Sequence, residues 1–403
     1  MSVSVRSVVA HLASDATVEH LIVLAHGIDG EAKDLHAIRD EIQRHGSGKP
    51  WKEDLAVEVW STRVNEGSKT HAGIFDCADR LWAELRPRID QILTSRSKTA
   101  SALRVSFVGH SMGGLVLRSV STKLHAASFP NVVLDTLVVI ASPHLGCRLL
   151  GRGGGGGVAP LMSAFGPSLM RAGLRMIKGR TGPQLLLDNT ALDTLTDDVH
   201  CAALRAFRRR IAYANGTGDW LVNCESSSLL SAEEMEVLLP LSTRACKQPG
   251  AGVVWRPNTK ACEDAGLPPT LALAASPPAA NAANAADTSG AHCIHLRPLI
   301  SNWDPTATAQ CHTTWDDGGG GRGERAARLL ARLRACGHWE LHLCHFFKRS
   351  SFAGGVFSPH IDLVALPHKI SQPYGREVVE HMVARILESR GMEVAAGQAE
   401  GGG

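Results

Sequence analysis

Leu103–Val108 (LRVSFV) has a mostly apolar strand pattern. It runs straight into Gly109-His110-Ser111-Met112-Gly113-Gly114, and a helical stretch, Leu115–His125, runs straight out. G-x-S-x-G alone is a weak pattern, because glycine and serine are common. Between a buried strand and a helix it specifies a strand–turn–helix corner. A turn that tight holds its central serine in strained backbone geometry. Small residues two before and two after it avoid clashes with the neighbouring strand and helix. The serine hydroxyl is lifted to the carboxyl edge of a sheet, where the N-terminus of the following helix favours developing negative charge. An ordinary glycine-rich βα turn is the competing reading, and the flanking strand and helix weigh against it.

The rest of the chain repeats the alternation. Leu21–Ala25 (LIVLA), Leu55–Trp60 (LAVEVW), Leu134–Ile140 (LDTLVVI), Arg210–Ala214 (RIAYA) and Trp339–Phe346 (WELHLCHF) read as strands. Ser2–His11 reads as an added edge strand. Between them, Leu35, Ile38 and Ile42 recur at helical spacing, and Ile74–Leu93 carries Ile74, Leu81, Leu85, Ile89 and Ile92 on one face. Pro87 inside that stretch predicts a kink or an early end. Glu324–Arg334 and Arg376–Glu388 are the last two helices. Strands alternating with helices predict an α/β class, with a mostly parallel sheet covered on both faces.

Fourteen of the 40 glycines fall in three runs, Gly151–Gly157, Gly318–Gly323 and Gly401–Gly403; the others occur at about the ordinary ~7%. Lys247–Arg322, with PPTLALAASPPAANAANAADTSG and DDGGGGRG, lacks periodicity and cannot bury enough apolar surface to offset its ordering entropy. It is expected to be a disordered, low-complexity insertion with a structured patch near Cys293–Trp303. The domain prediction is a single domain over 1–395, a cap or lid region at 147–200 within it, the insertion at 247–322, and a disordered tail at 396–403. In the cap region Leu161–Ile177 places leucine, methionine and phenylalanine at helical spacing. That suits an apolar lid or acyl-chain wall, with plain core packing equally open.

A net charge of +3 over 403 residues argues against nucleic acid as a partner. The arginine clusters Arg205–Arg210 and Arg325–Arg334 are expected to be solvated faces. Ten cysteines without a C-x-x-C pair fit reduced thiols and a cytoplasmic protein. The start, MSVSVRSVVAHLASD, has no sustained apolar segment of a signal peptide, while its serine-rich, acid-poor composition leaves organellar targeting open. No run of about 18 apolar residues predicts a membrane span. Histidines and cysteines at His292–His295, Cys311-His312 and Cys336–His345 lack structural-zinc spacing, so no metal and no cofactor is expected.

A serine hydroxyl is a poor nucleophile near neutral pH and needs a base, which in turn needs an orienting carboxylate. In this topology the chain order is serine, acid, histidine, the latter two each after a later strand. Asp219 follows the strand Arg210–Ala214 in the glycine-rich Asn215-Gly216-Thr217-Gly218 loop. Asp188, Asp193, Asp197 and Asp198 precede that strand and are worse placed, and a turn-capping role for Asp219 stays open. Among the late histidines, His342 and His345 lie in a strand and His381 in the final helix. His360 is preferred as the base, with His368 as the alternative. For the oxyanion the expected donors are the backbone N–H groups of Met112 and of the His26-Gly27-Ile28 turn, Ile28 first and Gly27 next.

Several blocks together resemble the serine esterase, lipase-like family of α/β-hydrolases found in yeast, plants and protists. They are HGIDG, GIFDCADRLWAEL (Gly73–Leu85), FVGHSMGGLVLR (Phe107–Arg118), ASPHLG (Ala141–Gly146), GRTGPQLLLDN (Gly179–Asn189) and FRRRIAYANGTGDWLV (Phe207–Val222). The resemblance implies an α/β-hydrolase fold and puts the family's acid at Asp219. His360, with Leu363 three residues on, meets the family's histidine block. The implied activity is hydrolysis of carboxylic esters, with acyl chains on glycerol or phospholipid as substrates and peripheral contact with a membrane or lipid droplet. An acyltransferase on the same residues, and a non-catalytic lipid-sensing scaffold, are the alternatives. The oligomeric state is left open.

Overall fold

The computed structural model describes residues 18–47, 56–97, 100–147, 178–216, 219, 221–232, 234–236, 238–240, 254–255, 291–296, 321–346, 360–361, 363–365 and 372–388. The expected strand at Ser2–His11, the apolar stretch Leu161–Ile177, His368, the tail at 396–403 and most of 247–322 lie outside these residues.

The strands are β1 (Val18–Ala25), β2 (Ala56–Ser61), β3 (Leu103–His110), β4 (Val132–Ile140), β5 (Arg209–Asn215), β6 (Val254–Trp255), β7 (Ala291–Leu296) and β8 (Glu340–Phe346). They form one sheet in the order β2-β1-β3-β4-β5-β8-β7-β6. From β2 to β8 every pairing is parallel. β7 then runs antiparallel to β8, and β6 parallel to β7. β7 falls at the patch expected near Cys293, whereas β6 is an addition that the sequence pattern did not signal.

Alternate residues of each strand feed two cores. Leu21, Val23, Val105, Phe107, Leu137, Val139 and Ala212 belong to one. Ile22, Leu24, Val108, Val138, Ile140 and Ile211 belong to the other. This is why the strands read as continuous apolar runs rather than as alternation. The first core is covered by α2 (Ile74–Ser95), α3 (Met112–Ala127) and, later in the chain, by helices at Asp198–Arg205 and Arg322–Ala335. The second is covered by α1 (His36–Ser47) and by the last described helix, Gln372–Leu387. Leu35, Ile38 and Ile42 are buried in it as their spacing predicts.

Two expectations need correction. α2 does not end early at Pro87 but continues to Ser95. Pro87 and Ala83 both lie on the exposed face, so the carbonyl that loses its helical partner faces water. The arginine clusters are not simply solvated. Arg210 is buried and donates to the carbonyls of Leu204, Phe207 and His338. Arg209 pairs with Glu340 at 2.9 Å. Arg325 grips Asp193 and the carbonyls of Leu187 and Asn189, and buried Arg334 pairs with Glu234. An arginine cluster in sequence does not distinguish a wet helix face from guanidinium groups that satisfy loop carbonyls.

β1 leads outward to β2, while β3, β4, β5 and β8 extend the other way. The sheet therefore changes direction between β1 and β3, and the crevice at their carboxyl ends is where open α/β sheets place ligands.

Candidate active site

Ser111 lies at that crevice, between β3 and α3, with φ 54° and ψ −126°. Its N–H donates to the Ile140 carbonyl at 2.7 Å, which pins the corner to β4. The glycines around it are there for space. A Cβ on Gly109 would lie 2.5 Å from the Gly114 backbone, and one on Gly113 would overlap the carbonyl oxygens of Ala25 and His26. The Met112 N–H opens α3 and is one of the four that a helix leaves without an internal partner.

The turn after β1 sits directly against the serine, for a Cβ on Gly27 would come within 2.8 Å of the Ser111 Cβ. The Gly27 carbonyl accepts from the Gly30 N–H at 3.1 Å and from His26 Nδ1 at 3.0 Å. In a trans peptide the Ile28 N–H points opposite to that carbonyl, away from both donors. The next N–H, of Asp29, donates to Thr70 Oγ1 at 3.0 Å. The Asp29 carboxylate meets His71 and Lys178, which hold its pKa below the usual range despite the opposing effect of burial.

Asp219 and His360, 141 positions apart, meet as Asp219 Oδ2 and His360 Nδ1 at 2.8 Å. The same oxygen accepts from Asn215 Nδ2 at 2.8 Å, while Oδ1 accepts from the N–H groups of Leu221 and Val222, each at 3.0 Å. Burial of this carboxyl raises its pKa. His360 and the N–H donors outweigh burial, and the net shift is downward, so the group is a carboxylate at neutral pH. A donating Nδ1 leaves the His360 Nε2 lone pair free to accept a proton. His360 is also fixed through its backbone, since its carbonyl accepts from His110 Nε2 at 2.9 Å and the two rings lie 4.9 Å apart. His110 directly precedes Ser111. Burial, then the neighbouring His360, push its pKa down to about 3, so it stays neutral.

The other candidates are occupied elsewhere. Asp188 pairs with Arg322 and Asp193 with Arg325, and Asp197 caps the helix Asp198–Arg205. His342 is bonded to Glu340, and His381 to the Tyr213 hydroxyl. Sequence reasoning missed Asn215 and His110. Asn215 had one signal, an amide at the very end of an apolar strand, four residues before the acid.

Residues 15–229 match the family described as Putative serine esterase (DUF676). Two curated relatives come from Saccharomyces cerevisiae. "Putative lipase YDL109C" is 27% identical over 234 residues, covering 55% of this chain and 32% of that protein. "Putative lipase ROG1" is 26% identical over 230 residues, covering 55% and 30%. The chain thus spans about a third of the length of the curated relatives it matches. Among solved structures, Aspergillus fumigatus lipase B is 16% identical, with 52% of this chain and 40% of that one covered and a TM-score of 0.31. The parallel sheet with its strand–turn–helix corner is that of the α/β-hydrolase fold. The family match takes in more than half of the chain, Ser111 and Asp219 included, and the chain therefore belongs to the putative serine esterase family.

Proposed function

We propose that this protein hydrolyses carboxylic esters through Ser111, His360 and Asp219. One observation carries the reading: a strained serine at the switch point of the sheet directly follows His110, whose Nε2 donates to the carbonyl of His360, a histidine whose own Nδ1 is held by a buried carboxylate 2.8 Å away. His360 Nε2 takes the Ser111 proton as Oγ attacks the ester carbonyl. Asp219 holds the imidazole tautomer and stabilises the imidazolium. The N–H groups of Met112 and Ile28 receive the charge on the tetrahedral oxygen, with Gly27 supplying the space for that approach. The alcohol leaves with the proton from His360, and a water activated by the same nitrogen releases the acid from the acyl-enzyme.

The substrate class in this proposal is an acyl lipid, glycerol- or phospholipid-based, in keeping with the lipase names of the yeast relatives. It includes reversible contact with a membrane or lipid-droplet surface from the cytoplasm, with 147–200 acting as the cap of a single domain over 1–395. Among the described residues no helix is long and apolar enough to cross a membrane. The test is fluorophosphonate labelling of the purified chain, then a panel of short and long acyl esters and lipids, each run beside Ser111→Ala. Labelling and turnover are expected in the parent alone; undiminished turnover in Ser111→Ala would sink the scheme. Added alcohol in the same assay reports acyl transfer as ester product.

A further inference from the structure

Behind the Gly27 turn lies a cavity with room for one water centre, about 10 Å³, walled by Ala25, His26, Thr62, Asn65, Met112 and Gly113 among others. Three side-chain atoms of these residues have no hydrogen-bond partner among the described residues: His26 Nε2, Thr62 Oγ1 and Asn65 Oδ1. Their side chains belong to residues only 4%, 2% and 5% exposed, so bulk water does not reach them. Thr70, also on the wall, is satisfied, donating to the Gly67 carbonyl and accepting from the Asp29 N–H.

The bonds that the three residues do make define what is missing. His26 Nδ1 donates to the Gly27 carbonyl, so Nε2 carries the lone pair and must accept. Asn65 Nδ2 donates to the Cys77 carbonyl at 2.9 Å, so the amide orientation is fixed and Oδ1 must accept. The Thr62 hydroxyl can donate. The complement of two acceptors and one donor in so small a space is a molecule that gives two protons and takes one. No carboxylate lines the cavity to neutralise a cation. Buried waters characteristically make about three such bonds.

We propose that this cavity binds one water molecule, bridging His26 Nε2, Thr62 Oγ1 and Asn65 Oδ1, and that Thr62 and Asn65 are thereby positioning residues for the oxyanion turn. The Thr62 N–H already ties the end of β2 to the Leu24 carbonyl at 3.1 Å. The water extends that tie to the His26 ring, whose other nitrogen grips the Gly27 carbonyl. The Gly27–Ile28 peptide plane is thus set from behind, and with it the direction of the Ile28 N–H. Gly27 touches Ser111, so any tilt of the plane is felt at the nucleophile. The kinetic part of this inference rests on the esterase reading; the site itself does not.

A crystal structure of the parent protein at about 1.5 Å resolution is expected to show one ordered water at roughly 2.7–3.2 Å from all three atoms. Thr62→Val removes the hydroxyl at nearly constant shape. It is expected to lower kcat on p-nitrophenyl butyrate about 5- to 10-fold with KM within about twofold, as small misplacement of a catalytic donor does. Thr62→Ser is expected to recover most of the rate. A cavity without density, or a Thr62 hydroxyl bonded straight to His26 Nε2, overturns the site. A Thr62→Val enzyme with lowered Tm and parental kcat overturns the positioning role and leaves only a structural water. If Thr62→Val does not fold, the parent crystal structure still decides the site. If the parent hydrolyses no ester, the esterase reading fails while the crystallographic readout is untouched.

Discussion

Ser111 keeps φ 54° although it is not a glycine, and such a conformation persists only where the surroundings over-determine it. Here the Ile140 carbonyl, the flanking glycines and the first turn of α3 fix it together. Asp219 is over-determined in another currency, with four donors on one carboxylate. Asp219→Asn is expected to keep the fold but lower kcat about 10⁴-fold, because an amide nitrogen facing Nδ1 selects the wrong tautomer; steady-state kinetics with a thermal melt on the same sample checks both halves. Ser111 was legible in the sequence because the glycines, strand and helix that flank it are its immediate neighbours in the chain, although the Ile140 carbonyl that pins it is not. Asn215 and His110 were not legible as site residues. Asn215 acts through Asp219, and its one signal, an amide at the end of an apolar strand, does not reveal that role; His110 reaches His360 from 250 positions away, and nothing local marks it beyond its place before the serine.

At the scale of elements, close approach decides which glycines are irreplaceable. Gly113 starts the helix where it crosses the end of β1, and an added Cβ would meet main-chain oxygens that cannot move aside. Gly67 has open space around it and only a positive φ of 61°. Gly113→Ala is expected to cost about 3 kcal/mol or more of stability, and Gly67→Ala about 1–2 kcal/mol, compared by urea unfolding. A second element-level tie is Glu340 at the start of β8, which receives Arg385 through two bonds of 2.6 and 2.8 Å, Arg209 at 2.9 Å and His342 at 2.8 Å. Burial raises the Glu340 pKa, but the bonds from His342 and Arg385 outweigh it and the net shift is strongly downward. Glu340→Gln leaves guanidinium charge without its counterion and is expected to destabilise by about 3–5 kcal/mol, read from the urea midpoint. Helices and strands here were legible from periodicity, since Ile74, Leu81, Leu85, Ile89 and Ile92 are all buried as their spacing requires. The roles of Arg209, Arg210, Arg325 and Arg334 were not, because what a guanidinium donates to is set by which loop the fold brings beside it.

For the molecule as a whole, the doubly covered sheet could be read from runs such as LIVLA, whose neighbouring residues serve opposite cores. The antiparallel β7 could be read only as a local patch, because six residues do not encode which strand they will pair with. Burial also makes the molecule sensitive to acid. His110, His144 and His342 all have pKa values pushed down by burial, to about 3 for His110. Below their ordinary value near 6.5 the unfolded chain takes up protons that the native state refuses. Their contribution is therefore complete above about pH 6.5 and is lost progressively as the pH falls toward the native values. Each imidazole adds about 1.4 kcal/mol per pH unit to the slope. Urea midpoints at pH 7.5, 6 and 5 are expected to fall in that order, and a flat series would contradict the assignment of neutral buried rings. The sheet order has one more consequence. β8 inserts between β5 and β7, though both precede it in the chain, and it leads to the segment that carries His360. Opening the polypeptide between residues 297 and 320 cuts no described element. It yields a larger piece holding Ser111 and Asp219 and a smaller one holding β8 and His360. Expressed together, the two pieces are expected to reassemble by strand insertion and, on the proposed esterase reading, to recover fluorophosphonate labelling that the larger piece lacks alone, making the Asp219–His360 contact a built-in reporter of fragment complementation.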